Sequence, residues 1–141
     1  MLDAGIEAIA KRVVHAGFRV HSTLGPGLLE SVYEVCFCHE LRQAGLDFRR
    51  QLEVPVVYDG LRLDAAMKLD VLVEDLIVCE LKAVEYVLPV HRAQLLSYLR
   101  LTGKPLGFLI NFHVPLFKQG IHRLILEDAS RTAAHSRAPH G

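Results

Sequence analysis

The sequence predicts an α/β domain in which helices flank a mixed β-sheet, with two helices before the first strand. Apolar residues recur at helical spacing in the first third of the chain and then alternate with polar residues over the next third. A further helical pattern then lies between short apolar strands, an order typical of a sheet covered by helices. With 141 residues, 51% of them hydrophobic, the chain is long enough for one domain with a substantial core.

Two helices are predicted before the sheet. The first runs from Ala4 to about Leu24 and the second from about Leu28 to Ala44, each with an apolar stripe at helical spacing. Gly25-Pro26-Gly27 separates them, and Gly45 is suited to end the second helix. These two helices therefore form an N-terminal unit ahead of the sheet.

The remainder is predicted to be mostly strand. Residues Phe48 to Tyr58 alternate in polarity, Pro55 favours an edge position for this strand, and Asp59-Gly60 indicates a hairpin. A return strand begins at Leu61–Asp64, whereas the segment from Asp64 to Met67 is ambiguous. The later elements are a hairpin from Lys68 to about Val84, a helix from Pro89 to about Thr102, and strands at Leu106–Phe112 and Ile121–Leu126. The expected order is α-α-β-β-β-β-α-β-β.

Composition limits the classes of function. Formal net charge is zero, so no global field attracts a polyanion, and any contact with nucleic acid must come from a local patch. The acidic N-terminus does not fit a signal peptide, and no apolar run reaches membrane-spanning length. The three cysteines lack metal-type spacing and indicate reduced thiols. We expect a cytoplasmic protein, with one domain over residues 1–127 and a flexible tail over 128–141.

The candidate site lies in the hairpin after Lys68. Asp70, Glu80 and Lys82 interrupt strands that otherwise look buried, where unpaired charges are costly. Glu80 and Lys82, two residues apart, share one face of their strand. A two-residue Glu74-Asp75 loop would pair Asp70 with Cys79 and turn it away. A three-residue loop that also includes Leu76 would place Asp70 opposite Glu80.

In the second register, two carboxylates would lie about 4.5–5.5 Å apart at Cβ and repel each other. A divalent cation such as Mg²⁺ or Mn²⁺ would turn this repulsion into binding, and would polarise a phosphate and activate water. Lys82 beside it could stabilise charge on phosphate oxygens. A salt-bridged surface ladder, with Lys82 neutralising Glu80, is the plainer alternative.

Other segments carry polar groups that could serve the same chemistry. Glu30, Tyr33 and Glu34 share one side of the second helix, and Gln94 lies beside Tyr98 on the third. Gln94 could fix a water or a phosphate, and Glu30 could reach the metal. An ordinary first-turn glutamate and a core tyrosine are the alternative interpretations of Glu30 and Tyr33.

The chain resembles the GxxExxY family, which is placed in the PD-(D/E)xK nuclease superfamily. The motif stands as Gly27-Leu-Leu-Glu30-Ser-Val-Tyr33, followed by Asp70 and Glu80-Leu-Lys82. The helix segment Ala93-Gln94-Leu-Leu-Ser-Tyr98 and the phrase Gly107-Phe-Leu-Ile-Asn-Phe112 are also similar. The likeness covers roughly Ile9 to Leu126. Because these segments point at one pocket, they favour the three-residue loop, with Asp70 opposite Glu80, Lys82 on the same face and Cys79 turned into the core.

The resemblance implies a restriction-endonuclease-like αβββαβ core with an extra helix supplying Glu30. It implies Asp70 and Glu80 as metal ligands and catalytic residues, Lys82 as the catalytic lysine, and Glu30 as a further ligand to Mg²⁺ or Mn²⁺. Gln94 is implied as a site residue, and Gly27, Tyr33 and Tyr98 as supporting residues. Lys68 departs from the family's usual Arg, so its contact with a phosphate or carboxylate would lack bidentate geometry.

Three functions are open at this stage. The first is a metal-dependent nuclease acting on DNA or RNA. The second is a catalytically silent nuclease-fold module that binds nucleic acid or an unidentified protein partner. The third, a purely structural subunit, does not account for the three charged residues. A homodimer would let two sites address two strands, although no sequence feature fixes its interface.

Overall fold

The computed structural model describes residues 2–126, so the predicted tail lies outside the described residues. Five strands form one sheet in the order β1-β2-β3-β4-β5. All neighbours are antiparallel except β3 and β4, which are parallel and therefore need a crossover helix. The elements in chain order are α1 (Ala4–Leu24), α2 (Glu30–Gln43), β1 (Phe48–Tyr58), β2 (Leu61–Val73), β3 (Ile77–Lys82), α3 (Pro89–Thr102), β4 (Leu106–Asn111), a short 3₁₀ turn (Phe117–Gln119) and β5 (Ile121–Ile125). The predicted α/β class, with two N-terminal helices and a mixed sheet, is confirmed.

The two faces of the sheet carry separate cores. Helices α1 and α2 cover one face, where residues such as Phe37, Cys79 and Leu81 are buried together. Helix α3 covers the other face, where Leu95 and Leu99 pack against strand residues. Side chains alternate across a strand, so one face of β3 packs against α1 and α2 and the other face lies on the side of α3.

The ends of α1 and α2 follow from their sequences. The Asp3 carboxylate accepts a hydrogen bond from the Ile6 amide and caps α1. After α2, Gly45 adopts φ +72°, and Leu46 N–H donates to the Leu41 carbonyl. This 6→1 bond is the pattern of a Schellman motif and confirms Gly45 as the glycine that ends the helix.

Helix α3 lies close to β4 because Gly107 has no side chain. A Cβ placed there would stand 3.0 Å from a methyl carbon of Leu95. The helix connects the parallel strands β3 and β4, so its first turn follows the end of β3. This brings the polar residues of α3 toward the candidate site.

The prediction of separate strands around an ambiguous segment from Asp64 to Met67 was wrong, because β2 is continuous from Leu61 to Val73. The segment has a weak propensity for strand, but pairing with β1 holds it in the extended conformation. The register shifts between Val54 and Val56, where Pro55 can donate no ladder bond. Nearby Ala65 has φ +54°, as expected at a bulge.

None of the helices formed by residues 2–126 combines the length and apolarity needed to cross a bilayer.

Candidate active site

The two strand carboxylates lie where the pairing of β2 with β3 ends. Val73 pairs with Ile77 and Val71 with Cys79, which confirms the three-residue loop of Glu74, Asp75 and Leu76. Extending this register by one residue places Asp70 opposite Glu80. Within the loop, Glu74 and Asp75 both have positive φ. The Leu76 amide donates a hydrogen bond to the Val73 carbonyl and closes the turn.

Beyond the Val71–Cys79 pair, β2 and β3 are joined by hydrogen bonds from backbone amides to side-chain carboxylates. The Asp70 amide donates to Glu80 Oε2 at 2.9 Å, and the Leu81 amide donates to Asp70 Oδ2 at 2.9 Å. Each carboxylate is therefore held by one amide of the opposite strand and keeps a second oxygen for another partner. Such reciprocal hydrogen bonds fix the orientation of both carboxyl groups.

Strand β2 is kinked at Asp70. Leu69 and Val71, two residues apart, belong to the cores on opposite faces of the sheet, so the regular alternation breaks between them. On β1, Gln51 lies between Arg50 and Leu52, the partners of Val71 and Leu69, and has φ +48°. The irregular backbone turns the Asp70 carboxylate toward β3 instead of leaving it on an ordinary pleat.

Burial and like charge both disfavour ionisation of this pair. Glu80 is 4% exposed, and burial, followed by the charge of Asp70, raises its pKa to about 8. Burial also raises the pKa of Asp70, although the hydrogen bond from Leu81 opposes the shift. The site therefore favours any bound cation that compensates two crowded carboxylates.

Lys82 is the basic residue whose charge acts on these acids. It lies half-buried at the end of β3, and its charge lowers the pKa values of Asp70, Glu80 and Glu30 against the effect of burial. Its carbonyl accepts a hydrogen bond from the Phe112 amide, which anchors the end of β3 to the chain that follows β4. Lys82 is thus held by an anchored strand end, within electrostatic influence of the carboxylates.

Glu30 begins α2 and is largely exposed. Burial is the main cause that raises its pKa, and the charge of Lys82 opposes this shift while that of Asp70 adds to it. Within residues 2–126, however, no three His, Cys, Asp or Glu side chains are grouped as a ready metal-binding set. Glu30 therefore lies within electrostatic influence of the carboxylates without joining them as a third preformed ligand.

Glu34, one turn after Glu30 on α2, is buried whereas Glu30 is exposed. It was not among the predicted site residues. It is 7% exposed and accepts hydrogen bonds from Arg50 at 2.9 and 3.1 Å and from Gln51 at 2.7 Å. Its charge also raises the pKa of Asp70, while a hydrogen bond from Gln51 lowers it. Gln51 thus connects the Glu34–Arg50 pair to the catalytic candidate on β2.

The only sequence indication of Glu34 was its position four residues after Glu30, on the same side of α2. No pattern indicated Gln51. Its role depends on the register of β1 against β2.

Tyr33 holds the loop that contains Gly27. The tyrosine is fully buried, and its ring stacks on Phe112 with centroids 4.6 Å apart. Its hydroxyl donates to the Gly25 carbonyl at 2.6 Å and accepts from the Leu28 amide at 3.1 Å. Gly27 lies between these anchors with φ +104°, a conformation that favours glycine. Tyr33 and Gly27 therefore shape the backbone that leads into Glu30.

We expect Tyr33→Phe to lower the free energy of unfolding by about 1–3 kcal/mol, because two loop groups would lose their hydrogen-bond partner. Urea denaturation measures the change. Tyr58→Phe is a matched control, since Tyr58 is 72% exposed at the end of β1 and its change should stay within about 0.5 kcal/mol. Equal effects of the two substitutions would contradict a structural role for the Tyr33 hydroxyl.

Gln94 and Tyr98 approach the carboxylates from α3. Burial raises the pKa of Tyr98, as do the charges of Glu80 and Asp70 in turn, while hydrogen bonding to the Lys68 backbone and the Gln94 side chain lowers it. Gln94 is exposed one turn earlier on the helix. The structure therefore brings Asp70, Glu80, Lys82 and Tyr98 into one neighbourhood, with Glu30 and Gln94 at its margins.

The donor set fits a hard divalent cation. Asp70 and Glu80 offer carboxylate oxygens, the ligand type that Mg²⁺ prefers, and each retains one oxygen that its amide bond does not occupy. Mg²⁺ commonly binds through one or two carboxylates and keeps several waters, so a third protein carboxylate is not required. The chemistry of these two residues is compatible with such an ion.

A family model described as the PD-(D/E)XK nuclease superfamily matches residues 7–124. No curated protein and no solved structure gives a significant match to the chain.

Proposed function

The chain belongs to the PD-(D/E)XK nuclease superfamily, and we propose that it is a metal-dependent nuclease that hydrolyses phosphodiester bonds of DNA or RNA. The observation that carries the proposal is the reciprocal bonding of Asp70 and Glu80 across the end of the β2–β3 ladder, with the charge of Lys82 acting on both. A buried carboxylate facing a half-buried one in this way is costly for folding and useful for binding a cation. We further propose that the chain belongs to the GxxExxY family, on the motif from Gly27 to Tyr33.

Asp70 and Glu80 would hold Mg²⁺ or Mn²⁺, which supplies a Lewis acid and lowers the pKa of a bound water. Lys82 would orient the attacking water and stabilise the negative charge that grows on the phosphate oxygens. Gln94 would bind a water or a phosphate at the edge of the site. Glu30 would order water around the carboxylates, and Tyr33 and Gly27 would keep the start of α2 in place.

Tyr98 would form the wall of the site on the side of α3. Its phenol lies close enough to Glu80 and Asp70 for their charges to raise its pKa, so it can donate a hydrogen bond at neutral pH. A neutral donor beside two acids would help to hold a water or substrate oxygen there.

The proposal predicts cleavage that requires both a divalent metal and Asp70. A panel of single- and double-stranded DNA and RNA should yield products with Mg²⁺ or Mn²⁺, and Asp70→Asn should reduce the rate by at least about 100-fold. Asp59→Asn is the matched control, because Asp59 lies in the exposed turn of the β1–β2 hairpin.

Mn²⁺ should also raise the melting temperature of the wild type more than that of Asp70→Asn, since binding to the folded state alone stabilises it. An equal shift in both proteins would contradict the assignment of the metal ligands. Failure of the folded wild type to cleave any member of the panel would reject the nuclease.

A second function is a nuclease-fold module that binds nucleic acid or a protein partner without turnover. The formal net charge of zero favours it, because no global field attracts a polyanionic substrate. It predicts saturable binding that is unchanged in Lys82→Met and produces no cleavage. The nuclease is favoured because Lys82 has no evident role in a silent pocket.

The remaining sequence predictions stay proposals. A single domain over residues 1–127, a homodimer with two sites, and a cytoplasmic location are each compatible with the fold. Size-exclusion chromatography with light scattering would measure the oligomeric state.

A further inference from the structure

The segment that follows Lys82 is held in place at both ends. The Asn111 side chain accepts from the Val84 amide at 3.0 Å and donates to the Val84 carbonyl at 2.9 Å. At the other end, the Leu88 amide donates to Nδ1 of His91 at 3.0 Å. The segment between these points therefore has a defined path from β3 into α3.

This anchored segment presents an aromatic side chain to solvent. Tyr86 is 75% exposed, and Leu88 and Val90 beside it are 50% and 63% exposed. Between them, Val87 packs against the core beneath α3. Exposed apolar groups that adjoin a functional pocket commonly mark a binding surface.

The surface formed by Tyr86, Leu88 and Val90 lies within reach of the candidate active site. Tyr86 is four residues after Lys82, so their Cα atoms are at most about 14 Å apart. Val87 also shares its core with Leu69, the residue before Asp70. A strand bound at the carboxylates could therefore continue onto this surface.

We propose that Tyr86 is a stacking platform for an unpaired base, so that the protein acts on single-stranded nucleic acid or on unpaired nucleotides. This inference rests on the proposed nuclease function. Bases that are already stacked inside a duplex do not offer a free face, whereas single strands do. With a net charge of zero, the chain cannot depend on a broad positive surface, so contacts with bases gain importance.

The binding test uses the absence of tryptophan from the chain. Tyr86→Trp introduces one emitter at the surface, and Lys82→Met in the same protein slows turnover by about 10²–10³-fold. A single-stranded oligonucleotide should quench the emission saturably, while the duplex of the same sequence should quench it at least about fivefold more weakly. Tyr58→Trp in the same background is the matched control, because Tyr58 is 72% exposed at the far end of the β1–β2 hairpin.

The inference is overturned if the duplex quenches as well as the single strand, or if both tryptophan variants respond equally. It is also overturned if emission of the Tyr86→Trp variant changes with protein concentration alone, which would identify a contact between copies of the chain. Quenching confined to the single strand and to position 86 supports it.

The kinetic test separates this role from the chemistry. Tyr86→Ala should raise KM on a single-stranded substrate about 5- to 150-fold with little change in kcat, and Tyr86→Phe should restore the wild-type value. If cleavage depends on Asp70 but Tyr86→Ala leaves KM unchanged, the stacking inference fails and the nuclease stands. If quenching occurs as expected but no substrate is cleaved, the nuclease fails and the stacking surface stands.

Discussion

Lys82→Met should lower the single-turnover cleavage rate by about 10²–10³-fold at saturating metal, while the protein remains folded. Methionine retains most of the length of the lysine stem and removes the charge that would stabilise the phosphate oxygens in the transition state. Lys82 has no ion-pair partner within 4.0 Å among residues 2–126, so its removal breaks no salt bridge within that part of the chain. Product formation in a quenched-flow assay measures the rate.

Lys118→Met is the matched control, because Lys118 is exposed on the 3₁₀ turn. Its cleavage rate should equal that of the wild type. Wild-type cleavage by Lys82→Met would show that another group supports the reaction and would remove Lys82 from the proposed mechanism. Circular dichroism of both variants separates loss of catalysis from loss of fold.

The register of the β2–β3 hairpin shows what local sequence could not decide. Loops of two or three residues both suit the segment from Glu74 to Leu76, and they send Asp70 to opposite faces. In the folded protein, Ile77, Cys79 and Leu81 are all buried beneath α1 and α2. A slip of one residue would turn these three apolar side chains away from the helices, so tertiary packing selects the three-residue loop.

The helices were predictable because their apolar stripes and glycine stops are local signals, and α1 and α3 have the expected bounds. The supporting group of Glu34, Arg50 and Gln51 was not predictable in the same way. Arg50 and Gln51 are 16 and 17 residues from Glu34 along the chain, and they meet it only after β1 has paired with β2. The order of motifs along the sequence identified Asp70, Glu80 and Lys82. The residues that support them are determined by strand pairing between distant parts of the chain.

The stability of the metal-free protein should fall as pH rises from about 4.5 to about 8, and Glu80→Gln should remove much of this dependence. Burial and the charge of Asp70 raise the pKa of Glu80 from 4.5 to about 8 in the folded state. The unfolded chain therefore releases this proton at a lower pH than the folded protein does. The stabilising contribution is complete below the unfolded pKa and is lost as pH passes through the folded pKa.

Glu80 is the group to substitute because it is almost completely buried and its carboxylate holds the Asp70 amide. Glutamine keeps an oxygen acceptor for that bond while removing the ionisation. Glu53→Gln, an exposed position on β1, should leave the slope of stability against pH unchanged. Urea denaturation at several pH values with EDTA present measures the slope, and the same slope in wild type and Glu80→Gln would refute the raised pKa.

Divalent metal should reverse the trend at this site. A bound cation favours the ionised carboxylates, so metal binding releases protons and strengthens as pH rises toward 8. With Mn²⁺ present, the wild type should therefore gain more stability at pH 8 than at pH 6, and Glu80→Gln should gain little at either pH. A purely structural acid pair would lose stability as pH rises and would gain none from the metal. The comparison therefore tests whether Glu80 and Asp70 bind a cation.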